Sequence, residues 1–157
     1  MSNIEQSIDV DVPVRTAYNQ WTQFEEFPSF MEGVVEIKQI DDKTTHWRTK
    51  VAGKEKEFQA VITEQEPDQR IAWTSTNGAE NAGVVTFHYI DPQTTRVMLQ
   101  MDYEPDGAVE AVGSALGFAQ RQIVADMTRF KEFIEARGQE TGAWRGEIER
   151  PGAAPGI

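Results

Sequence analysis

Cysteine is absent from all 157 residues, which removes disulfides, thiolate nucleophiles and cysteine-based metal sites. No apolar run approaches the roughly 20 residues that a helix needs to cross a bilayer, so no integral membrane segment is expected. Histidine occurs only twice. A zinc site needs three or four convergent ligands, and His46 and His88 are far apart and fall on outward strand positions, so neither a metal nor a cofactor is expected. Positive charge is scarce: 15 basic against 26 acidic residues leave a formal net charge of −11. That balance repels phosphate backbones and anionic lipid surfaces, so no nucleic-acid partner is expected. Local catalytic motifs are missing too: there is no Gly-x-Ser-x-Gly elbow, phosphate-binding glycine loop or His-Glu-x-x-His helix. Ser114 has no obvious neighbouring base, and no catalytic residue is assigned. The opening Met1-Ser2-Asn3-Ile4-Glu5 lacks the basic and apolar regions of a signal peptide. With no cysteine, a cytoplasmic location is expected.

What is present is alternation. In residues 4–12, Ile4, Ile8 and Val10 share one parity and Glu5, Ser7 and Asp9 the other, the pattern of a strand with one wet face. Pro13 can open a helix, because its missing N–H lies where helices have orphan donors anyway. Val14, Tyr18, Trp21 and Thr22 follow at helical spacing. Phe24, Phe27, Phe30 and Met31 continue the apolar surface across a break at Pro28, so two short helices are expected. Six further strands follow Gly33, marked by Val35 and Ile37, by Trp47, Thr49 and Val51, by Phe58, Ala60 and Ile62, by Ile71 and Trp73, by Val85, Phe87 and Tyr89, and by Val97, Leu99, Met101 and Tyr103. Turns are read at Asp41-Asp42-Lys43, Ala52-Gly53-Lys54, Pro67-Asp68-Gln69, Asn77-Gly78 and Asp91-Pro92. Such short turns force antiparallel neighbours, since parallel pairing needs a long crossover. The result is a meander with the first strand added at one edge.

After Gly107, residues 108–137 read as one long helix. Val112, Leu116, Ala119, Ile123, Met127, Phe130 and Ile134 form its apolar stripe, with Glu110, Arg121, Asp126, Arg129, Lys131 and Glu132 on the polar remainder. Thirty residues at 1.5 Å each span about 45 Å, and Gly138 is the expected terminator. The domain is therefore expected to end at 138. The stretch 139–157, with Gly142, Gly146, Pro151, Gly152, Pro155 and Gly156, reads as a flexible tail. Trp144 within it has no assigned role.

A single helix cannot fill the concave side of seven strands unless the sheet curls around it, and a curved sheet diverges from a straight rod. A cavity is expected between them. Its sheet wall is expected from Trp47, Phe58, Ile62, Trp73, Val85, Phe87, Leu99, Met101 and Tyr103. Its helix wall is expected from Leu116, Ala119, Ile123 and Met127. Trp47 and Trp73 equally fit an ordinary core, and Tyr103 and Tyr89 equally fit the rim. Gly113 and Gly117 lie on the early part of the helix, where each glycine costs about 1 kcal/mol relative to alanine. Either something approaches the helix backbone closely there, or the helix kinks or breaks.

Several blocks carry a family resemblance. They are Asp11-Val12-Pro13-Val14 through Tyr18 and Trp21; Phe27-Pro28-Ser29-Phe30-Met31; residues 64–73 from Glu64 to Trp73; residues 81–87 from Asn81 to Phe87; and residues 126–131 from Asp126 to Lys131. Together, over about residues 3–137, they resemble the polyketide cyclase/dehydrase-like branch of the START-related superfamily. The resemblance implies an α+β helix-grip fold, a seven-stranded curved antiparallel sheet around a long C-terminal helix with two short helices after the first strand. It also implies a cavity. Members of that superfamily include aromatase/cyclases, lipid and sterol carriers and ubiquinone-binding proteins. In the aromatase/cyclases, cavity arginines, tyrosines and tryptophans position the chain; here Arg48 sits near such a place but on outward parity.

Three functions stay open. The first is a module binding a hydrophobic small molecule such as a lipid, a quinone or a polyketide-like aromatic. The second is an aromatase/cyclase, in which Tyr or Arg groups assist proton transfer. The third is a partner-binding protein whose cavity is filled by its own side chains. Nothing in the sequence fixes an oligomeric state.

Overall fold

Alternating strands separated by turns of two to four residues can only fold back on themselves, and the chain does so. In order it forms β1 (Ser2–Val10), α1 (Val14–Trp21), a 3-10 helix (Phe24–Ser29), β2 (Val34–Gln39), β3 (Thr44–Val51), β4 (Lys54–Glu66), β5 (Arg70–Gly78), β6 (Asn81–Asp91), β7 (Thr94–Tyr103) and α2 (Val112–Arg137). The computed structural model describes residues 2–51, 54–78, 81–103 and 112–148; the side chains of residues 2, 3, 51, 54, 78, 103 and 112–119 lie outside the description.

All seven strands form one antiparallel sheet in the order β1-β7-β6-β5-β4-β3-β2. This is the expected meander, with β1 paired to β7 from Ser2 opposite Tyr103 to Val10 opposite Thr95. Register shifts interrupt the pairing at Val34/Glu36, Gln59/Ala60, Ile62/Glu64 and Tyr89/Asp91. Each inserted residue bends and twists its strand, so the sheet curves around α2. At the β2–β3 turn, the Asp41 carboxylate accepts the N–H groups of Lys43 (2.9 Å) and Thr44 (2.8 Å), an arrangement aspartate makes readily. Asn77 and Gly78, expected in a turn, instead end β5 opposite Gln59 and Phe58.

The two expected short helices are present, but the break between them lies at Thr22–Gln23 rather than at Pro28. The Thr22 hydroxyl donates back to the Asn19 carbonyl at 2.6 Å and competes with helix continuation. Pro28 sits inside the 3-10 helix. Short turns there are closed by Glu26 N–H to Gln23 O and Phe30 N–H to Phe27 O, and neither needs the proline's missing N–H.

α2 is a single unbroken helix from Val112 to Arg137, so Gly113 and Gly117 do not interrupt it. Residues 108–111 lie outside the described residues. The helix stops where expected: Gly138 has φ +75°, a conformation glycine adopts without penalty, and its N–H bonds to Ile134 O. The described half of the stripe faces the sheet, with Met127, Phe130 and Ile134 buried.

The segment after Gly138 differs from the expected free tail. Residues 139–148 run back across α1 as a strap. Glu140 accepts from the Asn19 side chain (2.6 Å), Thr141 N–H donates to Gln20 Oε1 (2.8 Å), and Trp144 N–H donates to Thr22 Oγ1 (3.1 Å). Arg145 donates to Asn19 Oδ1 (2.6 Å) and Asp68 Oδ2 (2.8 Å), with its guanidinium over the Tyr18 ring. Ile148 then exchanges both backbone hydrogen bonds with Gln65. The physical reason is an open edge: β3 begins at Thr44, opposite Val61, so Gln65 lies beyond it with a backbone edge to fill. The strap also explains why Asn19 and Gln20 are buried. Residues 149–157 lie outside the described residues.

Ile148 is 5% exposed within the core. Its replacement by alanine is expected to lower unfolding free energy by about 2 kcal/mol or more, read from urea denaturation. A loss below about 0.5 kcal/mol, typical of an exposed position, would show that the strap is not docked in solution.

Candidate functional site

Curvature and helix together leave a cavity of about 140 Å³ between the sheet and α2. Of the residues expected there, Trp47, Phe58, Ile62, Trp73, Leu99 and Met101 line it from the sheet, and Ile123 and Met127 from α2. Val85 and Phe87 do not. They have the right parity and are buried, but Phe87 lies under α1, edge-on to Tyr18 (5.3 Å) and Trp21 (6.2 Å). Tyr18 and Trp21 of α1 pack over that end of the concave face. The side chains of Tyr103, Leu116 and Ala119 lie outside the described residues.

Trp21, Phe24, Phe27 and Met31 also line the cavity. The sequence showed them as part of a continuous apolar surface; their inner sides form a wall of the cavity. Trp21, Phe24 and Phe27 belong to a chain of ring contacts. Trp21 meets Phe130 at 4.8 Å, Phe27 meets Trp21 at 5.6 Å and Trp47 at 6.0 Å, and Trp47 stacks on Phe58 at 5.7 Å with only 13° between planes. Such packing fixes the rings and keeps the wall open.

The polar atoms of the wall are mostly engaged by the protein itself. Trp47 Nε1–H donates to Thr45 Oγ1 at 2.7 Å, and Trp73 Nε1–H donates to Asn81 Oδ1 at 2.9 Å. Both indoles therefore present carbon to the cavity. Asp126 is the one charged residue on the wall among the described residues.

Sequence patterning placed Asp126 on the polar face of α2, yet it is 7% exposed. Its Oδ1 accepts from Glu32 N–H (2.9 Å), Gln122 Nε2 (3.0 Å) and Arg129 (2.8 Å), while Oδ2 has only a long contact with Gly33 N–H (3.4 Å). Burial pushes this carboxyl above its ordinary pKa, against the opposing pull of the Gln122 amide, the two backbone donors and Arg129. The signal available in the sequence was position: Asp126 adjoins Met127 and follows Gln122 by one turn, so it borders the apolar stripe. A buried acid there needed donors, and the chain after Phe30 supplies them.

Arg48 pairs across the strands with Glu55 at 3.8 Å on the outer side, in keeping with its outward parity. His46 lies 3.9 Å from Glu57 and His88 bonds Thr86. Among the described residues no group of histidines and carboxylates is arranged to hold a metal ion. No described helix is long and apolar enough to cross a membrane.

The geometry has known counterparts. A 17.2 kDa protein in the melC2-rnhH intergenic region of Streptomyces lincolnensis is 62% identical over 149 residues, covering 94% of this chain and 99% of that one. The crystal structure of the Zhui aromatase/cyclase from Streptomyces sp. R1128 superposes with a TM-score of 0.75 at 14% identity, over 91% of this chain and 99% of that one. A START superfamily protein from Mycobacterium smegmatis gives 0.71 at 10% identity, over 84% and 98%. At such identities the structural likenesses establish the helix-grip fold alone. The sequence itself goes further: with residues 10–132 matching the family described as "Polyketide cyclase / dehydrase and lipid transport", the chain belongs to that family.

Proposed function

We propose that this chain binds a hydrophobic small molecule, of lipid, quinone or polyketide-like chemistry, in the cavity between the sheet and α2. One observation carries the reading: the cavity has aromatic walls, and the indole N–H groups of Trp47 and Trp73 on its sheet side are already bonded within the protein. A ligand gains from burying apolar surface, at about 25 cal/mol per Å², and meets few polar groups that it must satisfy. The same open space among the described residues argues against an interior filled by its own side chains.

The Asp126 carboxylate supports an aromatase/cyclase as the second reading. A buried acid bordering an apolar cavity is the kind of group that general acid–base chemistry uses. Membership of a family that includes cyclases adds to it. Asp126 also ties the turn at Glu32–Gly33 to α2, and that structural duty explains its position without any reaction.

Native mass spectrometry of freshly purified protein, followed by organic extraction, tests the binding reading. A reproducible apolar mass is the expected result. A clean apo mass, together with no binding to a panel of fatty acids, quinones and aromatic ketones, would sink it.

Asp126 makes a separate expectation about pH. Its folded pKa is raised above the unfolded value, so the unfolded chain releases this proton first as pH rises. Stability from this group is therefore greatest below the unfolded pKa of about 4 and is lost as pH climbs through the folded value. In Asp126→Asn that loss is absent, so the variant's Tm should gain on the wild type across this window. Asp9, Asp41 and Glu135, whose pKa values are lowered, are common to both proteins and cancel. A Tm difference that stays constant with pH would refute the burial assignment.

A further inference from the structure

We infer that Gly83 sets the width of the cavity, by giving the Trp73 indole bare β6 backbone to lie against. This inference rests on reading the cavity as the ligand site. Trp73 and Gly83 are direct partners across β5 and β6, and Gly83 is in turn opposite Met101 on β7. Residues directly opposite each other share a face of the sheet, and Trp73 and Met101 both line the cavity. Position 83 therefore points inward, at a place where a side chain would fill space.

A Cβ on Gly83 would lie 2.9 Å from Trp73 Cζ2, 3.0 Å from Cη2 and 2.8 Å from the Gln100 carbonyl oxygen. These separations are too short for carbon or oxygen contacts. Any larger residue would lift the indole off the sheet and into the cavity. Glycine inside a strand weakens it and marks a close approach; here the approaching group is the Trp73 ring.

The same edge of the indole is also held by Asn81, on the same face of β6 two residues earlier. Its Oδ1 accepts Nε1–H at 2.9 Å, and its own N–H donates to Ser75 Oγ at 3.1 Å. Trp73 is thus pinned at its six-membered ring by Gly83 and at its pyrrole N–H by Asn81. With the Trp47–Phe58 stack also fixed, the sheet wall is built of immobilised flat surfaces. Such a wall selects thin, planar ring systems over globular ones of equal hydrophobicity, and Gly83 and Asn81 are its positioning residues.

The probes are 2-naphthol, which is flat, and 1-adamantanol, a cage with the same number of carbons and one hydroxyl; their affinities for the full-length protein are measured by calorimetry. Wild type is expected to prefer 2-naphthol by about tenfold or more, within the range a pocket achieves by shape. Gly83→Ala is expected to weaken 2-naphthol about tenfold, by overpacking. Adding Trp73→Phe, which removes the part of the ring that touches position 83 but leaves the Gln100 carbonyl contact, should restore part of that loss; a merely destabilised strand would not be rescued this way. Should Gly83→Ala fail to fold, Trp73→Phe and Asn81→Leu carry the test, since both should shift the ratio toward 1-adamantanol. An unchanged ratio in every folded variant overturns the role of Gly83 and Trp73 while leaving the cavity reading intact. Binding of neither probe by wild type overturns both.

Discussion

Trp21 and Phe130 meet edge-on, with ring centroids 4.8 Å apart, and much else in the molecule hangs on that contact. It joins α1, which closes one end of the curved sheet, to α2, which lies along its concave side. Phe27, Phe30 and Phe87 pack against the same two rings. A sheet of seven strands has far more apolar surface than one helix can cover. The aromatic cluster solves this at one end by bulk, and the other end is left with a cavity. Position along the strand therefore decides what an inward side chain becomes. Phe87 is core because Trp21 reaches it, whereas Trp73 lines the cavity.

The distinction also explains what the sequence could reveal. Strand parity identified the inward face along most of the sheet; it failed beside the register shifts, where Val35 and Tyr89 are exposed. Trp47, Phe58, Ile62, Trp73, Leu99 and Met101 all line the cavity. Parity says nothing about depth, so Val85 and Phe87 were indistinguishable from them. Helical periodicity located Ile123 and Met127, but it sorted Asp126 by chemical type and sent it to the solvent face. Its donors, the N–H groups of Glu32 and Gly33, are over ninety positions earlier in the chain. Only the folded chain brings them together.

The strap was hidden for the same reason and a second one. Its glycines suit a loose tail, and residues 139–148 show neither helical nor strand periodicity. What holds it is a set of single contacts with Asn19, Gln20, Thr22, Gln65 and Asp68, each specific and none periodic. Burial of Asn19 and Gln20 within α1 was the available clue, since polar residues on the inner part of a short helix need a partner. Beneath the strap, burial pushes the Tyr18 phenol up to about 12, with the Gln65 side chain working the other way. The hydroxyl therefore keeps its proton throughout the neutral range.

The pairing of β1 with β7, and of residue 148 with Gln65, gives this domain an unusual order of assembly. The meander from β2 to β7 can form from neighbours in sequence. β1 must wait for a strand some ninety residues downstream, and the polar flank of α1 stays uncovered until residues 140–145 exist. Contacts so distant in sequence slow folding, because loop-closure entropy is lost before they form. During synthesis, the first strand and first helix are thus made early and secured last. An emerging chain carries the unpaired β7 edge and the bare polar flank of α1 until its final contacts close.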